Sequence, residues 1–247
     1  MGRNVESYTY KIRSYLPFNI SEIRSIAITI LFLTFIVAFN DGNGEFQMSQ
    51  WLANFLLWFI IITISVIVKQ IGHRLVGLLY GFRVEYKIWW YGLMFGVLIA
   101  FVTRGHVWVL VPGGIMIHIM KFHRLGWFRY GTNYRAFSII ALFGPLANIF
   151  FATFVKTLQI WFHLFPAESA IVDKLFLFNL AFAAYNLLPI PPLDGSRVMY
   201  DSRLIYVFVF VAIATYAILA YFEIYSYILA LIAAVIGWFL FYHYFEK

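Results

Sequence analysis

Residues 51–80 read WLANFLLWFIIITISVIVKQIGHRLVGLLY. An almost unbroken apolar run, 51–68, passes directly into Lys69, Gln70 and His73, with Arg74 beside them. A run of this length approaches the ~20 apolar residues that a bilayer-spanning helix needs, and 69–80 reads as its continuation. Ionisable side chains inside such a segment are costly in lipid and persist where they pair or face the protein interior. The stretch therefore predicts a membrane helix whose inner face carries a polar cluster.

Composition supports the same class. The chain is 63% hydrophobic and 12% charged, against about 45–50% and about 25% in soluble domains. A water-soluble fold of 247 residues could not hide so much apolar surface, so the expected class is an α-helical polytopic membrane protein. The absence of cysteine removes disulfides, thiolate nucleophiles and Cys-ligated zinc from consideration. The net charge of +7 is carried by loops between apolar runs, the pattern that encodes orientation, so no nucleic-acid partner is expected. About twenty polar or mixed residues precede the first apolar run, and no cleavable leader is expected.

Apolar runs fall at 23–40, 51–68, 88–103, 136–163, 170–188, 204–222 and 224–245. The basic segments 81–87 (Arg83, Lys87) and 104–135 (Arg104, Lys121, Arg124, Arg129, Arg135) flank the short run 88–103. Were that run to cross, the two segments would lie on opposite sides, against the positive-inside tendency. The expectation is six full spans, both termini cytoplasmic, and a re-entrant or membrane-leaning segment at 88–103. One membrane domain is expected over 1–247, with a cytoplasmic N-terminal segment at 1–22 and a C-terminal helical pair at 204–245. The stretch 107–122, VWVLVPGGIMIHIMKF, reads as two short β-type runs broken by Pro112, Gly113 and Gly114, a small hairpin whose edge could add a strand from a partner.

Three motifs then stand in order: KQIGH at 69–73, GPLAN at 144–148 and NLLPIPPLDG at 186–195. Together they resemble the site-2 protease family of intramembrane zinc metalloproteases. HRLVGLLYGFRVEYKIWWYGL at 73–93 resembles its archaeal branch, where the zinc helix leads into a short sheet and a membrane-associated hairpin. The resemblance covers roughly residues 60–200 and implies a protease-like core at 51–200.

In that family two His of HExxH and the Asp of an LDG motif hold zinc, and the Glu activates water. Carried onto this chain, the resemblance places the second His at His73 and the Asp at Asp194. Lys69 stands where the first His belongs and Gln70 where the Glu belongs. A protonated lysine has no lone pair, and a glutamine amide does not take a proton from water at working pH. Zinc-assisted hydrolysis is therefore not expected, and His73 and Asp194 form a former metal site. A buried ammonium and a buried carboxylate are each costly alone, so Lys69 and Asp194 are the expected ion pair.

Asn148 and Asn186 are polar amides in apolar runs. In active relatives their equivalents line the cleft, but here their expected partners are carbonyls freed by Pro145 and Pro189. Pro189, Pro191 and Pro192 fix an extended segment ahead of Asp194. His106, His118 and His123 read as interfacial residues, His163 and His243 as span-end residues, and Trp89, Trp90, Trp108 and Trp127 as interface anchors.

The function expected from this pattern is that of an inactive homologue, a membrane-segment-binding or accessory subunit of a membrane complex, with lipid and other membrane proteins as partners. One alternative is an active protease, either because Gln70 is an engineered replacement of a Glu, or because His106, His118 or His123 supplies the missing ligand and another group such as Glu85 activates water; zinc is its cofactor. Another is an ion or proton transporter built on Lys69 and Asp194.

Overall fold

The computed structural model describes residues 12–40, 47–119, 133–162, 165–166, 169–222 and 226–246. Its contacts group the chain into two compact units, Met1–Tyr130 and Gly131–Lys247.

The first unit begins with helices α1 (Ile20–Ala38) and α2 (Met48–Tyr80). At 1.5 Å per residue α2 is about 50 Å long, well beyond a hydrocarbon core of about 30 Å. Its lipid-type face carries Ile60, Ile64, Ile67 and Ile71, all exposed at helical spacing. The opposite face buries Ser65, Lys69, Gln70, His73 and Arg74. The helix ends at Gly81, whose φ of 80° is open to glycine without Cβ strain. Its N–H returns to the Gly77 and Leu78 carbonyls.

Strand β1 (Phe82–Ile88) follows, burying Phe82, Val84 and Tyr86 on one face. Helix α3 (Trp90–Val102) leaves its end, and the chain returns in extended form to β2 (Gly113–Ile119). The strands pair antiparallel, with Ile88 opposite Gly113, so 89–112 departs from and comes back to the same end of the sheet. Entry and exit are fastened by Trp89 N donating to the Pro112 carbonyl at 3.1 Å. The segment 89–112 is thus an out-and-back excursion from one end of the sheet.

The hairpin read at 107–122 is corrected. β2 pairs with 82–88, and 107–112 is not a strand. The reason lies in Gly92 and Gly96, which bring the return segment flush against α3. A Cβ at Gly92 would lie 2.5 Å from the Val111 carbonyl oxygen, and one at Gly96 2.8 Å from that of Val109. Gly92→Ala and Gly96→Ala are each expected to cost about 1–3 kcal/mol by overpacking, read as a lowered midpoint of unfolding in detergent. Lys121 and His123 lie outside the described residues.

The second unit contains α4 (Tyr134–Phe162), α5 (Ala170–Asn186), α6 (Asp194–Asp201), α7 (Arg203–Tyr221) and α8 (Tyr227–Phe241), followed by a π-helical turn at Tyr242–Glu246. Asn133 Oδ1 accepts from Ala136 N at 3.0 Å, capping α4. The buried stripe of α4 runs through Ala141, Gly144, Pro145, Asn148 and Ala152. Ala152 packs with Phe176, Leu180, Tyr216, Ala220 and Ala230, a core shared by α4, α5, α7 and α8. Lys156 of α4 bridges to Asp173 of α5 and donates to Gln159 Oε1 at 3.0 Å, so this cation is paired within the apolar layer.

Among the described residues, five helices are long and apolar enough to span a bilayer: Ile20–Ala38, Met48–Leu79, Tyr134–Phe162, Arg203–Tyr221 and Tyr227–Glu246. The chain is thus a helical polytopic membrane protein with a small antiparallel sheet. The sixth expected span, 170–188, forms α5 with 17 residues, about 26 Å long and at the lower limit for crossing.

Candidate functional site

The α2 cluster is a consequence of helix geometry. Positions 69, 70 and 73 share one face because side chains three and four residues apart are neighbours on a helix. All three are buried, Lys69 at 2% relative exposure, Gln70 at 1% and His73 at 0%. The ammonium therefore lies on the inward face one helical turn from the imidazole rather than snorkelling to an interface. Neither Lys69 nor His73 is without an interaction partner. The Gln70 Oε1 atom has no hydrogen-bond partner among the described residues.

Arg74, the next residue, was not singled out by the sequence reading. It is buried and forms an ion pair with Glu22 in the first turn of α1. Its Nη1 donates to the Leu16 carbonyl at 2.6 Å and the Pro17 carbonyl at 3.2 Å, and its guanidinium lies 3.9 Å from the centre of the Phe18 ring. Glu22 Oε1 accepts from Tyr86 N of β1 at 2.8 Å. The Tyr86 hydroxyl bonds Thr29 Oγ1 at 2.8 Å and donates to the Pro112 carbonyl at 2.9 Å. A charged pair of this kind, satisfied on several sides, can be held in a dry interior. The only hint in the sequence is a glutamate in the first turn of an apolar helix.

In the second unit the motif residues sit at element ends. Asn186 closes α5, and its Nδ2 donates to the Phe182 carbonyl at 2.6 Å, one turn back in its own helix. That contact differs from the expected partner, a carbonyl freed by Pro189. Asn148 faces inward on α4, fully buried, and neither end of its amide has a hydrogen-bond partner among the described residues. Thus it does not take up the carbonyl that Pro145 frees. A buried amide left unmade costs about 1–3 kcal/mol, so Asn148 marks a place where polar company is missing among the described residues.

Asp194 is fully buried and stands at the first position of α6, where the helix dipole favours a carboxylate. Its neighbour Gly195 explains the glycine of the LDG motif. A Cβ there would fall 2.0 Å from the Leu187 carbonyl oxygen, so α6 starts against the bare backbone that ends α5. Gly195→Ala is expected to lose about 3 kcal/mol or more and to displace Asp194, checked by unfolding in detergent and by loss of soluble yield.

Arg197 lies three residues beyond Asp194 on the same helix. Burial pushes its guanidinium below the ordinary value, and the Asp194 carboxylate acts in the opposite direction. Asp194 thus has a cation in its own unit, one the sequence reading missed although DGSR spells an i, i+3 pair.

The other histidines lie elsewhere. His106 Nδ1 sits 2.8 Å from the Thr103 carbonyl oxygen at an exposed turn. His118 is exposed on β2, 3.6 Å from Glu85, which also pairs with Arg83 at 2.9 Å. His163 falls outside the described residues, and His243 is exposed on the π-helical turn.

Comparison with known proteins adds one relative. The chain is 29% identical over 192 residues to a protein of Methanocaldococcus jannaschii named "Putative zinc metalloprotease", a match that covers 75% of this chain and 87% of that protein. The name agrees with the site-2-protease resemblance of the three motifs. No family model matches the chain, and no solved structure matches it.

The residues of this chain do not fit the metal in that name. A catalytic zinc takes three protein ligands and keeps one open position. Helix α2 offers a single imidazole, and the position one turn earlier holds an amine that lacks a lone pair when protonated. Among the described residues no three His, Cys, Asp or Glu side chains are grouped to hold a metal ion. No hydrolytic step can be derived from this set.

Proposed function

We propose that the chain is a non-hydrolytic relative of the site-2 proteases that binds membrane segments as an accessory subunit of a membrane protein complex. The observation that carries this reading is the burial of Lys69 and Gln70 on the His73 face of α2, the two positions on which the family's chemistry depends. In this reading the Lys69 ammonium takes over the electrostatic part played by the metal in the family's active members. Asn148 supports the binding role: an inward amide without a hydrogen-bond partner among the described residues is suited to the backbone of a bound segment. The distribution of basic residues in the loops supports a cytoplasmic side for both termini in this reading.

The test is a cleavage assay with the protein reconstituted in lipid and a panel of membrane-spanning peptides. The expected result is capture of peptides without cleavage, with Asn148→Leu reducing capture several-fold, about 1–2 kcal/mol for one lost amide contact. Cleavage that a zinc chelator abolishes would overturn the proposal. So would capture that is unaffected by Asn148→Leu.

A further inference from the structure

The polar chain beside His73 joins two parts of the first unit that are remote in sequence. At one end are residues 16–18, half-exposed chain ahead of α1, whose Leu16 and Pro17 carbonyls and Phe18 ring all meet Arg74. At the other end is the neck of the re-entrant segment, where the Pro112 carbonyl accepts from both Trp89 N and the Tyr86 hydroxyl. Between them run Arg74, Glu22 and Tyr86, each bonded to the next and each buried.

We propose that residues 16–18 act as a strap that sets the position of the re-entrant segment 89–112 through the Arg74–Glu22–Tyr86–Pro112 chain. Arg74 is the hub because one guanidinium serves both sides. Its Nη1 holds the strap and its Nη2 faces Glu22. Removing the strap leaves two donors of a buried cation without acceptors, and the side chain then turns toward the water the strap had excluded. Glu22 loses its counter-charge in that event and with it the geometry that holds Tyr86 N. The Tyr86 hydroxyl sits at the neck itself, so a shift of β1 by a fraction of an ångström breaks its bond to Pro112. Glycine-mediated contact also holds the segment, through Gly92 against Val111 and Gly96 against Val109. Whatever engages the N-terminal chain thereby controls how firmly this segment is held.

Hydrogen exchange by mass spectrometry on the full chain in detergent tests the coupling. Pro17→Gly with Phe18→Ala loosens the strap without touching the chain, and the amides at 106–115 are expected to exchange about tenfold faster or more. Tyr86→Phe is expected to speed exchange at 106–115 while leaving 12–19 unchanged. A strap that exchanges freely while 106–115 keeps native protection would overturn the proposal. A strap that stays protected in the double variant would also overturn it, since Phe18 and Arg74 would not then be what holds it. Because neither variant touches Lys69, Gln70 or Asn148, the result is independent of the peptide-capture assay.

Discussion

Glu22→Ala is expected to destabilise the first unit by about 3–5 kcal/mol, the range for removing one partner of a buried ion pair. The substitution leaves Arg74 in a site where its side chain is 4% exposed, and it orphans Tyr86 N, whose acceptor is the same carboxylate. Glu22→Gln separates the two effects: an amide oxygen can still accept from Tyr86 N but cannot neutralise the guanidinium. It should recover only a minor part of the loss. The double change Glu22→Leu with Arg74→Met should recover more, because well-packed apolar residues often match or exceed a buried pair. Full recovery is not expected, since Arg74 also serves the Leu16 and Pro17 carbonyls. Unfolding curves in detergent for the three variants check this, and a Glu22→Ala loss below about 1 kcal/mol would show the pair to be energetically idle.

The second large effect is at Asp194. Asp194→Ala is expected to cost about 3–5 kcal/mol by leaving Arg197, the cation of its own helix, uncompensated. Arg197→Met placed in that background should restore a substantial part, because it removes the guanidinium on which the carboxylate acts. Lys69→Met in the same background tests the ion pair expected from the sequence. Recovery by Arg197→Met and not by Lys69→Met would assign Asp194 to its own helix and remove the electrostatic role given to Lys69.

Much of this architecture was legible in the sequence, and what was not has physical causes. The long α2 was readable because its apolar run and its polar cluster both keep helical spacing, so Lys69, Gln70 and His73 had to share a face. The out-and-back path of 89–112 was readable from charge alone, since Arg83, Lys87 and Arg104 flank a run too short to cross. The strand pairing was misjudged because Pro112, Gly113 and Gly114 look locally like a hairpin turn. Gly113 instead begins the partner of 82–88, while the preceding residues are taken up by contact with Gly92 and Gly96. Local turn signals say where a chain bends but not which remote strand it meets.

The Glu22–Arg74 pair was invisible for a related reason. Both residues read as ordinary charges near the ends of apolar runs, and only the packing of α1 on α2 and β1 brings them together. Arg197 was overlooked because attention fell on the three letters of LDG. Asn186 Nδ2 donates within its own helix, to the Phe182 carbonyl, and Asn148 has no hydrogen-bond partner among the described residues.

The relation to the Methanocaldococcus jannaschii protein sharpens the central question, because that protein's name includes zinc, while Lys69 departs from what zinc binding requires and Gln70 from what hydrolysis requires. Elemental analysis of protein purified without chelator answers it most directly. The account predicts no stoichiometric zinc in the native chain and a gain of zinc when Lys69→His and Gln70→Glu are introduced together. One tightly held zinc per native chain, lost on His73→Ala, would contradict it.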